Sequence, residues 1–259
     1  MAIYAEVAGD GPDLVLVHEG ICDSRMWDLQ WEPWSRSFRL LRMDLRGFGR
    51  TPLERGPFAH ARDVIEVLER ESFGPAALLG VSMGGRVALE VALARPELVS
   101  ALVLVAPGMP GHEWSDELRA RWAEEEQAFE AGDLDGAVEA SLRTWVDGPR
   151  RNPEDVDPVV RSLVGEMQRK AYELQSGIEE DEEELLVDDL MQRLGDVRVP
   201  TLVAVGEEDQ PDMHAIAKRL AAEIPGARFE TIAHTAHVPS MERPREFDEL
   251  VLPFLREAA

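Results

Sequence analysis

A serine between two glycines stands where an apolar strand pattern gives way to a helical one. The segment AALLGVSMGGRVALEVALARPE, residues 76–97, combines a continuous apolar run, a glycine-rich turn and an apolar helical pattern that Pro96 ends. Its centre, GVSMG at residues 80–84, fits G-x-S-x-G, in which the serine sits on a strained strand-to-helix turn with its hydroxyl exposed. The residues two positions either side must be small, because side chains there would collide. The pattern therefore predicts Ser82 as a nucleophile for acyl transfer.

The same glycines do not favour a phosphate-binding loop. Such a loop carries Lys-Ser/Thr after its last glycine, or an acidic residue about 20 positions further on. Here Arg86 follows the glycines, and the next apolar run ends in VAPG without a carboxylate.

A serine nucleophile needs a base, and the base needs an acid that fixes its tautomer. Among the histidines, His237 is favoured because it lies in a loop between the last strand pattern and the C-terminal helix; His234 is its rival. The loop after TLVAVG supplies Asp209 as the favoured acid. The remaining carboxylates of that loop are expected to be structural; they are Glu207, Glu208 and Asp212.

Strand and helix patterns alternate around these residues. Apolar runs near residues 3–7, 14–17, 38–45, 76–81, 101–106, 201–206 and 227–232 read as strands, and most are followed by helical spacing. Continuous apolar runs such as ALVLVA are typical of strands buried on both faces. The alternation predicts an α/β fold with a mostly parallel sheet flanked by helices.

One long segment interrupts this alternation. Residues 111–197 contain only helical patterns, which is far more chain than a crossover between two strands needs. We expect an inserted all-helical cap there, with residues 1–110 and 198–259 forming the two parts of the core. The acidic run at residues 177–189 is expected to form a solvated helix face, since carboxylates on consecutive helical positions cannot converge on one ion.

Charge and composition narrow the possible partners. The chain carries 51 acidic and 27 basic residues, a formal net charge of −24, which argues against nucleic acid and anionic membranes as partners. No apolar run reaches the ~20 residues of a membrane helix, and the N-terminus lacks a secretory pattern. A single cysteine, Cys22, is typical of a cytoplasmic protein. The protein is expected to be a monomer or a homo-oligomer.

Taken together, the motifs resemble those of the α/β-hydrolase superfamily, in its capped esterase and enol-lactone hydrolase-like branch. LVLVHEG resembles the His-Gly oxyanion strand, DLRGFGRT the loop after the next strand, and GVSMGGRVALEVALARPELV the nucleophile turn and its helix. VPTLVAVGEED and HTAHVPSMERPREF resemble the acid and histidine loops. The similarity extends over nearly the whole chain, and the order Ser82, Asp209, His237 is the order of this fold.

The resemblance implies an oxyanion hole and a substrate pocket. The backbone N–H groups of Gly20 and Met83 would hold the oxyanion. The sequence departs from the family at Glu19, which takes the place of the usual glycine after His18 and would have to point away from a site that stabilises negative charge. An apolar slot between cap and core is expected, with wall residues Ile21, Met83, Met109, Trp145 and Val238. The alternative is that Trp122 and Trp145 only pack cap helices together.

The expected activity is hydrolysis of a small apolar carboxylic ester or lactone through an acyl-enzyme, without metal or cofactor. Serine rather than aspartate at position 82 argues against dehalogenase and epoxide hydrolase chemistry. A cofactor-free perhydrolase, a carbon–carbon bond hydrolase and a ligand-sensing receptor-like member with little turnover remain as alternatives.

Overall fold

Seven strands form one sheet in a computed structural model that describes residues 2–176 and 183–258. Their bounds are β1 Tyr4–Ala8, β2 Asp13–Val17, β3 Arg39–Asp44, β4 Ala76–Val81, β5 Val99–Val105, β6 Thr201–Gly206 and β7 Arg228–Ile232. All seven coincide with the apolar runs of the sequence to within two residues. The predicted α/β fold with a mostly parallel sheet is confirmed.

The strand order is β1-β3-β2-β4-β5-β6-β7, and only β1 runs antiparallel to its neighbour. Pairs such as Val17↔Gly80 and Val81↔Val105 keep the carboxyl ends of β2, β4 and β5 level. Loops that follow parallel strands meet at one edge of a sheet, where ligands bind in open α/β folds. The loops after β2, β4, β6 and β7 carry Glu19, Ser82, Asp209 and His237.

Helices cover both faces of the sheet. The helices are α1 Asp28–Ser35, α2 His60–Arg70, α3 Met83–Ala94, α4 Asp116–Glu130, α5 Leu134–Leu142, α6 Pro158–Gln175, α7 Pro211–Glu223, α8 Pro239–Glu242 and α9 Pro244–Ala258. Side chains alternate along β2, so that Val15 and Val17 belong to a buried cluster that includes residues of α2, α3 and α7, whereas Leu14 and Leu16 belong to a second cluster that includes residues of α1 and α9. The central strands β2, β4 and β6 are buried on both faces, which explains why their sequences are mainly apolar.

Between β5 and β6 the described chain is helical. It contains α4, α5 and α6, and α5 continues into a π-helical turn at Arg143–Asp147. Trp145 lies on that turn, a local irregularity that is frequent at functional sites. The division of the chain into core and cap at residues 111 and 197 stays a prediction.

None of the helices in the described ranges is both long enough and apolar enough to cross a bilayer.

Candidate active site

Ser82 occupies the turn between β4 and α3 in a backbone conformation that residues other than glycine seldom adopt. Its φ is 51° and its ψ is −115°, and α3 begins at the next residue. The Ser82 N–H donates to the Val105 carbonyl at 2.9 Å, and the Gly108 N–H donates to the Ser82 carbonyl at 3.2 Å. Both bonds attach the turn to the end of β5, so the surrounding structure holds the strained backbone in place.

The glycines of the motif are required by close backbone contacts. A Cβ at Gly80 would lie 2.1 Å from the Gly84 carbonyl oxygen, and a Cβ at Gly84 would lie 2.5 Å from the carbonyl oxygens of Val17 and His18. Each contact is with backbone, which cannot swing aside. The turn therefore depends on both glycines, as the sequence pattern predicts.

His237 and Asp209 meet at the same edge of the sheet. His237 Nδ1 lies 2.8 Å from Asp209 Oδ2, and both side chains are 2% exposed or less. Asp209 also accepts a hydrogen bond from the Gln210 N–H at 2.7 Å. The His237 N–H donates to the Trp145 carbonyl, and the two rings lie 4.5 Å apart. The carboxylate thus fixes the tautomer that carries its proton on Nδ1 and leaves Nε2 as the basic atom.

The alternatives to these two residues lie elsewhere. His234 is exposed, and its N–H donates to Glu207. Glu208 pairs with Arg150, and Asp212 binds Ser115 and His112 at the start of α4. Of the four carboxylates in the acid loop, only Asp209 hydrogen-bonds a buried imidazole in the described part of the chain.

Ser82 and His237 share a neighbour rather than a hydrogen bond. Trp145 lines a cavity with Ser82, and its ring packs against the His237 ring at a tilt of 35°, so both residues lie beside the same indole. In the described residues no hydrogen bond joins Ser82 Oγ to His237 Nε2. A general base must come within about 3.2 Å of the group whose proton it takes, although this contact often tightens only when substrate binds.

Glu19 does not point away from the site. Its carboxylate is fully buried, and Oε2 lies 3.6 Å from His237 Nε2. Burial raises the pKa of Glu19 to about 7 against the opposing effect of His237. Burial on its own would lower the pKa of His237, but the Asp209 and Glu19 carboxylates outweigh it and raise that pKa.

Cys22 and His18 fix the segment that carries Glu19. The Cys22 thiol donates to Glu19 Oε1 at 3.1 Å, and burial raises its pKa well above the ordinary value, so it remains a thiol. His18 Nε2 accepts from the Leu45 N–H, and Nδ1 faces the Glu19 carbonyl at 2.7 Å. Its two ring nitrogens are thereby used to position the chain.

Gly20 and Met83 are neighbours across this edge. A Cβ at Gly20 would lie 3.9 Å from the Met83 Cβ. Met83 is the first residue of α3, so its N–H has no partner within the helix and lies at the positive end of the helix dipole. The placement suits two N–H donors for a developing oxyanion, as the resemblance implies.

A cavity of about 390 Å³ opens onto Ser82. Met83, Met109 and Trp145 line it as expected, whereas Ile21 and Val238 pack in the hydrophobic core and are absent from its lining. The remaining lining residues were not anticipated from the sequence: Arg86, Gly108, Pro110, Trp114, Trp122, Glu183, Leu185 and Met213. Trp122 lies between the other two indoles, with ring centroids 5.0 Å from Trp114 and 6.3 Å from Trp145.

The acidic run near residue 180 does not behave as one solvated helix face. Glu183 is half-buried, bonds Arg86 Nη2 at 2.6 Å and lines the cavity. Glu90 binds the other side of the same guanidinium at 2.7 Å. The expectation is wrong at Glu183 because Arg86, on the first turn of α3, draws that carboxylate onto the core. Residues 177–182 of the run lie outside the described residues.

Residues 13–244 match the family model of the α/β hydrolase fold. The pimeloyl-[acyl-carrier protein] methyl ester esterase of Nitrosomonas europaea is 28% identical over 256 residues, covering 95% of this chain and 96% of that protein. A structure described as Est816, an N-acyl homoserine lactone degrading enzyme, is 25% identical with a TM-score of 0.77, covering 97% of this chain and 96% of its own. The enol-lactonase of Burkholderia xenovorans shares the fold, with a TM-score of 0.80, 23% identity and coverage of 98% and 96%.

Proposed function

The chain belongs to the α/β-hydrolase family, and we propose that it hydrolyses a small apolar carboxylic ester or lactone through an acyl-enzyme on Ser82. The observation that carries the proposal is the buried hydrogen bond between His237 and Asp209 beside a strained serine that opens onto a cavity. A methyl ester esterase and a lactone-degrading enzyme among the similar proteins support the reaction class.

In the proposed reaction Ser82 Oγ attacks the carbonyl carbon while its proton passes to His237 Nε2. Asp209 holds the imidazole and stabilises the imidazolium that forms. The Gly20 and Met83 amides bind the oxyanion, and a pair of preorganised donors is worth far more in a water-poor site than in water. The leaving group then departs, the imidazolium loses its proton to a basic leaving group or to solvent water, and a water activated by the neutral imidazole releases the acid.

The cavity supports an apolar substrate. Three indoles and three methionine side chains surround Ser82, and the guanidinium of Arg86 is occupied by Glu90 and Glu183. The walls come from the core and from the helical segment between β5 and β6, which we propose acts as a cap. An acyl chain that fits between the indoles is favoured by burial of its surface.

A panel of p-nitrophenyl esters, alkyl esters and lactones tests the proposal. The wild-type protein should turn over part of the panel, and Ser82→Ala should lose at least about 10⁴-fold in kcat while remaining folded. Glu207→Gln, a nearby carboxylate that does not bind His237, is the matched control and should keep its activity.

Three results would contradict the proposal. Equal turnover by wild type and Ser82→Ala would place the chemistry on another residue. Turnover that depends on added peroxide, or binding of panel members without turnover, would favour the perhydrolase or the ligand-sensing alternative.

A further inference from the structure

Glu19 places a second carboxylate on the imidazole of His237. Asp209 binds Nδ1, and Glu19 Oε2 lies 3.6 Å from Nε2, on the side from which the serine proton must arrive. Glu19 Oε2 has no hydrogen-bond partner among the described residues, although the side chain is fully buried. Its other oxygen, Oε1, accepts from the Cys22 thiol, a weak donor.

Such a carboxylate is costly unless a cation meets it. An unpaired buried charge is disfavoured by several kcal/mol per ion, and the raised pKa of Glu19 reflects that cost. Among the described residues, the other titratable groups that act on this pair are Asp209, Glu242 and the Cys22 thiol, and none of these three is a cation. Glu242 is itself bound by Arg151 at 2.6 Å. The positive charge that forms beside Glu19 during the proposed reaction is the His237 imidazolium.

We infer that Glu19 is a positioning residue that holds the His237 imidazolium at Nε2, and that it restricts the enzyme to esters whose leaving groups depart as stable anions. This inference rests on the proposed function. Aryl esters, enol esters and enol lactones, and thioesters belong to that substrate class, whereas simple alkyl esters do not.

The proton balance explains the restriction. Ser82 gives its proton to Nε2 as its oxygen bonds to the carbonyl carbon. The bond from that carbon to the leaving oxygen or sulfur then breaks. An alkoxide must take the proton from Nε2 as it leaves, and the Glu19 carboxylate competes for the same N–H. A phenolate, enolate or thiolate departs with its electron pair and needs no proton, so His237 stays protonated. The Nε2 proton then passes to solvent water before the imidazole activates the hydrolytic water.

Two carboxylates on one imidazole make it a stronger base and a weaker acid. The first effect favours proton removal from Ser82, and the second disfavours proton donation to a basic leaving group. Removing the Glu19 charge should reverse both effects. An opposite charge within 4–6 Å moves a pKa by about 1–3 units, so the acid limb of kcat/KM should move to lower pH by about one unit or more.

The test compares wild type with Glu19→Gln on acetate esters that share one acyl group. Substituted phenyl acetates, a thiol ester and ethyl acetate span the leaving groups, and kcat/KM reports acylation for each. Glutamine keeps the acceptor for Cys22 and removes only the charge. Glu242→Gln is the matched control, because its charge is already balanced by Arg151 and its oxygen can still accept from the Ala236 N–H.

In the wild type log kcat/KM should fall steeply as leaving-group pKa rises. Glu19→Gln should flatten that dependence and raise the ratio of kcat/KM for ethyl acetate to kcat/KM for p-nitrophenyl acetate by at least about 10-fold. It should also move the acid limb of the kcat/KM pH profile to lower pH. Glu242→Gln should leave the slope unchanged. Glu19→Gly, which restores the residue usual in the resembling family, should act like Glu19→Gln and covers the case in which the glutamine variant does not fold.

An unchanged slope and an unchanged acid limb in both Glu19 variants would overturn the inference. The inference would also be overturned if the wild-type kcat/KM for ethyl acetate were as high as that for p-nitrophenyl acetate. Failure of the proposed function looks different, because wild type would then turn over no ester in the series or would do so without Ser82.

Discussion

Replacing Gly80 by alanine is the sharpest perturbation of the turn that presents Ser82. The added Cβ would lie 2.1 Å from the Gly84 carbonyl oxygen, 2.3 Å from the Gly84 carbonyl carbon and 2.6 Å from the Gly85 nitrogen. Real Cβ contacts essentially never fall below 3.0 Å, so the start of α3 must move away from β4 by about 1 Å in a close-packed region.

The expected cost follows from that displacement. Overpacking a core lowers the free energy of unfolding by about 1–3 kcal/mol. Because the new Cβ would clash with three backbone atoms, we expect Gly80→Ala to cost about 3 kcal/mol, the upper end of that range. For a chain of this size each kcal/mol lowers Tm by about 2–4 °C, which gives a loss of about 6–12 °C. A shift of about 1 Å at the nucleophile should also lower kcat about 10²-fold.

Thermal unfolding followed by circular dichroism, together with kcat on a p-nitrophenyl ester, measures both effects. Gly195→Ala is the matched control, because a Cβ there meets nothing within 4 Å and its φ is not in the left-handed region. It should leave Tm unchanged or raise it slightly, since alanine restricts the unfolded chain. If Gly80→Ala instead kept the Tm and kcat of Gly195→Ala, the turn would have room for a Cβ at position 80, and close backbone contact would not be what requires glycine there.

Three further predictions concern the proposed acid, the base and the cavity. Asp209→Asn should lower kcat about 10⁴-fold in a steady-state ester assay because the wrong tautomer disables the base, whereas Glu207→Gln should stay near wild type. His237→Ala should abolish turnover while His234→Ala, at an exposed site, keeps most of it. Loss of turnover in His234→Ala but not in His237→Ala would identify His234 as the base. Trp145→Ala should change the ranking of acyl chain lengths by about 10-fold in kcat/KM, and an unchanged ranking with a lower Tm would show that this indole only supports the fold.

The strands and the strained turn could be predicted because they depend on local sequence. The AALLGV and ALVLVA runs are apolar at every position, which only strands covered on both faces require, and β4 and β5 lie there. The small residues follow a fixed spacing around Ser82, and this spacing could be recognised although Gly80 is required by the nearby Gly84 carbonyl and Gly84 by the distant carbonyls of Val17 and His18. The loops after β6 and β7 follow neighbouring strands, and this order is sufficient to bring Asp209 and His237 together.

The side-chain directions at the cavity could not be predicted, because they depend on contacts between distant segments. The sequence left the direction of Glu19 open, and in the structure the Cys22 thiol and the buried chain around His18 direct it to His237. Glu183 lies almost 100 residues from Arg86 in sequence, and no local pattern marks their ion pair. The position of Trp122 between two other indoles likewise depends on how the helical segment packs.

The most direct test of the central claim is identification of the residue that becomes acylated or phosphonylated. Wild-type protein treated with a p-nitrophenyl alkylphosphonate should gain one adduct per chain by intact-mass spectrometry, in step with loss of esterase activity, and peptide mapping should place it on Ser82. Ser82→Ala should gain none. An adduct on any other residue, or full inactivation without modification of Ser82, would show that Ser82 is not the nucleophile.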